Sequence, residues 1–284
     1  MEIITRRQRM FSISRKLRRE NKTVAFVPTM GALHEGHLTL VREARQAADV
    51  AIVSIFVNRE QFNDKGDLER YPRDLPSDTA LLAEYEVDYV FAPDEIEIYP
   101  PGFSTYVYVE GISEGLEGAS RPGHFRGVAT IVSILFNTIR PDKAFFGQKD
   151  AQQVAVVRRL TTDLGFETEI VVVPTVREES GLAMSSRNVN LTAEEREKAS
   201  VIFNSFREAK LAFKNGERKT SKLVEIVRTT IESEPLARID YVAAVDSETL
   251  EPVEKIEDNE VTLAAAVFFG KTRLIDNIRL NRKQ

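Results

Sequence analysis

Residues Val50–Val57, VAIVSIFV, form a run that is apolar at nearly every position. A strand with one wet face alternates apolar and polar residues, so a run without alternation describes a strand covered on both faces. The texture recurs. Val24–Val27, Val87–Phe91, Ala144–Phe146 and Glu169–Val173 are strand-like. Between them lie helical patterns from His37 to about Ala48, from about Ser77 to Glu86, from Val128 to Ile139 before Pro141, and from Lys149 to about Asp163. This alternation predicts an α/β fold with an open parallel sheet and helices on both faces. Only Tyr99–Gly123 reads as irregular.

From Pro174 the texture changes. Thr192-Ala-Glu-Glu195 is a capping box opening a helix to about Asn215, and a second helix runs from about Ser221 to Glu232. The runs Ile239–Val245, Val261–Phe269 and Leu274–Ile278 then follow with little helix between them, which predicts a small antiparallel sheet. A boundary near residue 175 gives two domains, 1–175 and 176–284. The chain of 284 residues is long enough for two cores.

Lys plus Arg is 39 against 44 for Asp plus Glu, a net charge of −5, which argues against a general nucleic-acid surface. The chain has no cysteine, which removes disulfides, thiol catalysis and cysteine-type zinc sites. No apolar run is long enough to cross a bilayer and no secretory pattern appears, so no membrane role and a cytoplasmic setting are expected. The arginine-rich stretch Arg6–Arg19 carries Met10, Ile13 and Leu17 at helical spacing and reads as a surface helix.

In an open parallel sheet, ligands gather beyond the carboxyl ends of the strands. After the first strand comes Pro28–His37, PTMGALHEGH, where Gly31 and Gly36 permit sharp turns and His34 and His37 meet a helix start. His37 also shares a stripe with Val41 and Ala44, the place of a core histidine, but two histidines three apart in a glycine turn favour a ligand. A zinc site is disfavoured, because the metalloprotease pattern spaces its histidines four apart on a formed helix. After Val57 comes Asn58-Arg-Glu-Gln61, and after Phe146 comes Gly147-Gln148-Lys149-Asp150. Lys149 in a first helical turn opposes the helix dipole and becomes favourable beside a bound anion; a solvated lysine is the alternative. Gln153 lies one turn on. After Val173, Met184-Ser185-Ser186-Arg187-Asn188 offers hydroxyls and a guanidinium suited to phosphate oxygens on a mobile loop, or else is a linker between domains. Asp78 is a candidate for Mg²⁺, directly or through water, although a solvated helix carboxylate is the commoner reading of such a residue. His124 either touches a ligand or orders its loop.

Taken in order, PTMGALHEGH, SIFVN followed by QF, SRPGHFRGVAT, FFGQKDAQQ and PTVREESGLAMSSRN closely resemble the pantothenate synthetase (pantoate–β-alanine ligase) family over essentially the whole chain. His34-Glu-Gly-His37 and Met184-Ser-Ser-Arg187 also resemble the HIGH and KMSKS elements of the adenylate-forming nucleotidyltransferases. The resemblance implies a Rossmann-like first domain that binds ATP and pantoate, a smaller C-terminal lid domain and a homodimer. It implies an ATP-dependent condensation of pantoate with β-alanine through pantoyl adenylate, with Mg²⁺ accompanying ATP. Carried onto matching positions, it places His34, His37 and Lys149 as catalytic groups on the phosphates, with Lys149 also on pantoate. Gly31, Gly147, Gln148, Asp150, Val176, Met184, Ser185, Ser186 and Arg187 would frame the nucleotide. Met30 would line the pocket, Gln61 and Gln153 would hold pantoate, and Asp78 would attend the metal beside a position that is Ser77 here. An enzyme adenylating another small acid and a nucleotide-binding scaffold without catalysis are the competing readings.

Overall fold

The computed structural model describes residues 1–63 and 65–281. In chain order the elements are β1 (Glu2–Ile4), α1 (Arg7–Arg19), β2 (Val24–Thr29), α2 (Glu35–Ala47), β3 (Val50–Ile55), α3 (Lys65–Arg70), α4 (Leu75–Ala83), β4 (Tyr89–Phe91), α5 (Glu95–Ile98), α6 (Glu117–Ser120) and α7 (His124–Ile139). There follow β5 (Lys143–Gly147), α8 (Ala151–Asp163), β6 (Glu169–Val173), α9 (Ala193–Lys198), α10 (Val201–Lys214), α11 (Thr220–Glu232), β7 (Ala237–Asp246), β8 (Val261–Phe269) and β9 (Thr272–Leu280). They group into two compact units. One is Met1–Gly147 with Val156–Val173; the other is Gln148–Ala155 with the residues from Pro174 onward.

The first unit holds a six-stranded sheet in the order β1-β4-β3-β2-β5-β6, parallel at every pairing. The winding runs from β2 through β3 to β4 on one side and from β5 to β6 on the other. The order therefore reverses between β2 and β5, the switch point at which such sheets open a crevice at their carboxyl ends. β1 was not predicted: three residues carry no period, and only pairing with β4 makes them a strand. β2 and β3 are buried almost throughout. In α7 every residue but Arg126 and Asn137 is buried, so its apolar circumference is explained by depth in the protein's own interior. Phe136 of this helix meets Phe26 and Phe166 edge to face, with ring centroids 6.4 and 5.5 Å away. Burying a side chain of this size stabilises by about 1.5–3 kcal/mol.

The second unit contains the antiparallel sheet β7-β8-β9. Its core includes Phe206, Leu223, Val227, Leu263 and Phe269. The capping box forms as predicted, with Thr192 accepting from the Glu195 amide and Glu195 reaching back. The helix it opens is shorter than expected: Ala199 and Ser200 interrupt it between α9 and α10. The Ser200 hydroxyl donates to the Glu197 carbonyl at 2.7 Å, a local bond that competes with the helical ladder.

Candidate active site

At the carboxyl end of β2 the chain turns through two left-handed residues, Gly31 at φ +82° and Ala32 at φ +51°. The turn wraps a carboxylate. Asp78 of α4, 4% exposed, accepts from the Ala32 amide at 3.0 Å and the Leu33 amide at 2.8 Å, one oxygen each. A Cβ on Gly31 would lie 2.8 Å from the nearer oxygen, so the close approach as well as the backbone angle demands glycine. Asp78 is thus not a solvated helix carboxylate: both of its oxygens hold the turn. Among the described residues no group of three or more His, Cys, Asp or Glu side chains is arranged to hold an ion.

The helix that follows begins at Glu35, two residues before the predicted start, because His34 is its N-cap. The His34 Nδ1 accepts from the Gly36 amide at 3.1 Å. In the neutral ring the proton then sits on Nε2. His37 stands in the first turn with its ring centroid 4.1 Å from that of His34. Both rings are half-buried, and the helix N-terminus adds partial positive charge.

The chain after β3 forms a 3₁₀ turn, Arg59–Gln61, whose position is set by hydrogen bonds from elsewhere in the unit. The Gln61 carbonyl accepts from the Arg121 guanidinium at 3.2 Å and lies 2.7 Å from the His124 Nδ1, which must carry the proton because a carbonyl only accepts. His124 therefore orders a loop, the second of its two readings. The Gln61 Oε1 accepts from Asn58 at 3.1 Å, while its Nε2 faces the Met30 sulfur at 2.8 Å. Asn58 also donates to the Gly127 carbonyl and accepts from the Tyr99 hydroxyl at 2.7 Å. Burial above all, then the Glu60 charge, raises the Tyr99 pKa far above its ordinary value and keeps it a donor. Gly127 lets α7 approach this turn: a Cβ there would lie 2.3 Å from the Glu60 carbonyl oxygen.

In the second unit, Gln148–Asp150 form a 3₁₀ turn and the α-helix starts only at Ala151, two residues after the predicted start. Lys149 is largely shielded, its side chain 16% exposed, with Nζ 3.6 Å from Asp150. Gln153 is half-buried on α8. Met184–Asn188, expected as a mobile loop or a linker, belongs to a braced hairpin within residues 174–190. Arg177 bridges to Ala183, Met184 donates to the Val176 carbonyl at 2.9 Å, and Asn188 ties Glu178 to the Ala183 carbonyl. The Ser185 hydroxyl accepts from the Arg187 amide at 3.2 Å and caps the 3₁₀ turn Ser186–Asn190. Burial opposes charge on Glu178, but hydrogen bonds from Arg196 and Asn188 outweigh it and hold the carboxyl below its ordinary value.

Met30, Gly31, His34, His37, Gln61 and Asp78 thus lie on, or in contact with, the one turn from Met30 to His37 within the first unit. Gln148, Lys149, Asp150, Val176, Met184, Ser185, Ser186 and Arg187 lie on two elements of the second, each bonded to β9. Sequence reasoning missed the residues that hold them: Tyr99, Arg121, Arg177, Glu178, Asp276 and Asn277. Asp276 and Asn277 left a signal, two polar residues inside the apolar run Leu274–Ile278.

Two imidazoles in contact on a helix N-terminus, at the carboxyl edge of a parallel sheet beside its switch point, are the construction of a phosphate-binding α/β enzyme. The particular family is decided by comparison. Residues 2–279 match the family model for pantoate-beta-alanine ligase, and the chain belongs to that family. It is 52% identical over 278 residues to pantothenate synthetase of Heliobacterium modesticaldum, covering 98% of this chain and 99% of that one. The Thermotoga neapolitana pantothenate synthetase is also 52% identical, over 277 residues, with 98% and 99% covered. The crystal structure of pantothenate synthetase from Thermus thermophilus superposes with a TM-score of 0.90 at 43% identity, covering 98% and 99%. Pantoate-beta-alanine ligase from Francisella tularensis, solved in complex with beta-gamma ATP and beta-alanine, gives 0.79 at 36% identity, covering 98% and 97%.

Proposed function

We propose that this enzyme condenses pantoate with β-alanine, driven by cleavage of ATP to AMP and pyrophosphate. The observation that carries the reading is the His34–His37 pair, its ring centroids 4.1 Å apart on the N-terminus of α2 beyond β2. The ligands of the Francisella tularensis relative support ATP and β-alanine as substrates here.

In the first step a carboxylate oxygen of pantoate attacks the α-phosphorus of ATP, the bond from that phosphorus to the bridging oxygen breaks, and pyrophosphate leaves. In the second, the β-alanine amine attacks the acyl carbon of pantoyl adenylate. The acyl–oxygen bond breaks, AMP departs, and the amine proton passes to solvent. Charge develops on phosphate oxygens in the first step, so preorganised donors and cations do most of the work. His34 offers its Nε2 proton, His37 donates beside it, and Lys149 supplies a shielded positive charge to the α-phosphate and pantoate. Gln61, its oxygen taken by Asn58, presents an N–H to pantoate; Gln153 assists it, and Met30 lines the pocket. Gly31, Gly147, Gln148, Asp150 and Val176 frame the nucleotide, while Met184, Ser185, Ser186 and Arg187 grip its phosphates.

Mg²⁺ fits as an ion carried in on the triphosphate, where it would neutralise charge, because both oxygens of Asp78 already accept amides; Asp78 would reach it through water. Residues 1–175 act as the ATP- and pantoate-binding domain and 176–284 as a lid. The chain passes from the last strand of the parallel sheet into the second unit at Val173/Pro174, which would serve as the hinge. Lid closure predicts a smaller radius of gyration with ATP in solution scattering, and an unchanged radius would refute it. A homodimer and a cytoplasmic setting complete the proposal, supported by the family resemblance; sedimentation tests the first. Among the described residues no helix is long and apolar enough to cross a membrane.

The deciding experiment is AMP formation from Mg-ATP and pantoate with and without β-alanine. AMP and pantothenate rising together only with both substrates is the expected result. Much faster ATP turnover with another acid would overturn the assignment of pantoate.

A further inference from the structure

Asp276 and Asn277 are adjacent on β9 and each is 4% exposed. Neighbouring strand residues face opposite ways, so one dipeptide can reach two different elements. Asn277 uses its amide on the turn that carries Lys149: Nδ2 donates to the carbonyls of Gln148 at 3.0 Å and Lys149 at 2.9 Å, and Oδ1 accepts from the Gln148 side chain at 2.8 Å. Asp276 receives the Arg177 guanidinium at two points, 2.6 and 3.0 Å. Arg177 in turn donates to the Gly181 carbonyl at 3.0 Å, inside the hairpin that bears Ser185 and Arg187, and lies 4.3 Å over the Phe203 ring of α10.

We infer that Asp276 and Asn277 are a positioning pair for this half of the site: Asn277 fixes the backbone under Lys149, and Asp276 fixes the Val176–Arg187 hairpin through Arg177. The inference rests on the reading that Lys149 acts on the α-phosphate. Neither residue needs to touch substrate. A charge in a preorganised site is sensitive to placement, and a displacement of 1 Å costs up to about 10²-fold in rate.

The test is a double-mutant cycle on pyrophosphate release from ATP and pantoate, using Asn277→Ala, Lys149→Ala and both together, with amide exchange of residues 147–151 measured without substrate. Asn277→Ala should lower kcat by about 10- to 100-fold and speed exchange in that segment. In the Lys149→Ala background it should have little further effect, because residues acting as a unit are not additive. Val227→Ala, in the core of the same unit, serves as the control: it should lower the melting temperature and leave kcat unchanged. Asn277→Ser, which retains one donor, should fall between wild type and Asn277→Ala, and it carries both readouts if the alanine variant does not fold. Asp276→Asn should speed exchange in the 176–187 hairpin.

A kcat for Asn277→Ala within twofold of wild type, or the same fold-loss in both backgrounds, would overturn the inference, as would unaltered exchange at 147–151. Unaltered exchange at 176–187 in Asp276→Asn would overturn the role of Asp276. Wild-type turnover by Lys149→Ala would sink the proposed role of the lysine instead, and the exchange readout would still judge the grip of Asn277.

Discussion

Replacing Asp78 by alanine leaves the amides of Ala32 and Leu33 without the acceptors that now sit 3.0 and 2.8 Å away. A buried donor left unsatisfied costs about 1–3 kcal/mol, so two amount to about 2–6 kcal/mol. Two effects reduce this. Ala32 and Leu33 are half-buried, so water replaces part of the loss, and deleting a buried carboxylate relieves its own desolvation. A net destabilisation of about 1–3 kcal/mol is expected, read as a lower urea midpoint. The loop should suffer more than the fold. Ala32 holds a left-handed angle that costs roughly 1–2 kcal/mol and persists only because its surroundings over-determine it. Once it relaxes, the cap of α2 and both histidines shift, and AMP formation should fall by about 10²-fold. Asp78→Asn keeps one acceptor oxygen but turns an NH2 donor toward the other amide, so it should lose at least half as much stability as Asp78→Ala. Were Asp78 chiefly a metal ligand, Asp78→Ala would keep the wild-type urea midpoint and regain its rate at high Mg²⁺. That pair of results would refute the reasoning.

Gly127→Ala forces a Cβ to within 2.3 Å of the Glu60 carbonyl, so α7 and the Gln61 turn must part. A loss of about 1–3 kcal/mol in stability and a raised KM for pantoate are expected from melting and steady-state assays. His37→Ala should lower pyrophosphate release by about 10²–10³-fold while the melting temperature stays near wild type; a rate within twofold would refute its catalytic role. Glu178 has a folded pKa below its ordinary 4.5, so its contribution is complete above the unfolded value and is lost as pH falls through the folded one. The stability gap between wild type and Glu178→Gln should therefore be largest near neutral pH and close below about pH 4.5 in acid titrations.

The βα alternation was legible because runs such as Val50–Val57 record in one dimension that both faces of a strand are covered. Each polar turn was legible for a related reason, since a parallel sheet sends the carboxyl ends of its strands to one edge. Local pattern alone was enough for the α/β class, the antiparallel second sheet and the residues offered at those turns. How those residues are held emerges from contacts between distant parts of the fold. Asp78 meets a loop 45 residues away in sequence, and Asn277 meets Lys149 across 128. Such contacts likewise drew Gln148–Ala155 into the second unit, resolved His124 as an anchor for the Gln61 carbonyl and made a strand of Glu2–Ile4. The physical reason is range. Periodicity reports which face of an element is buried, a local property, whereas the partner of a buried hydrogen-bonding group is set by distances in space that no local pattern encodes.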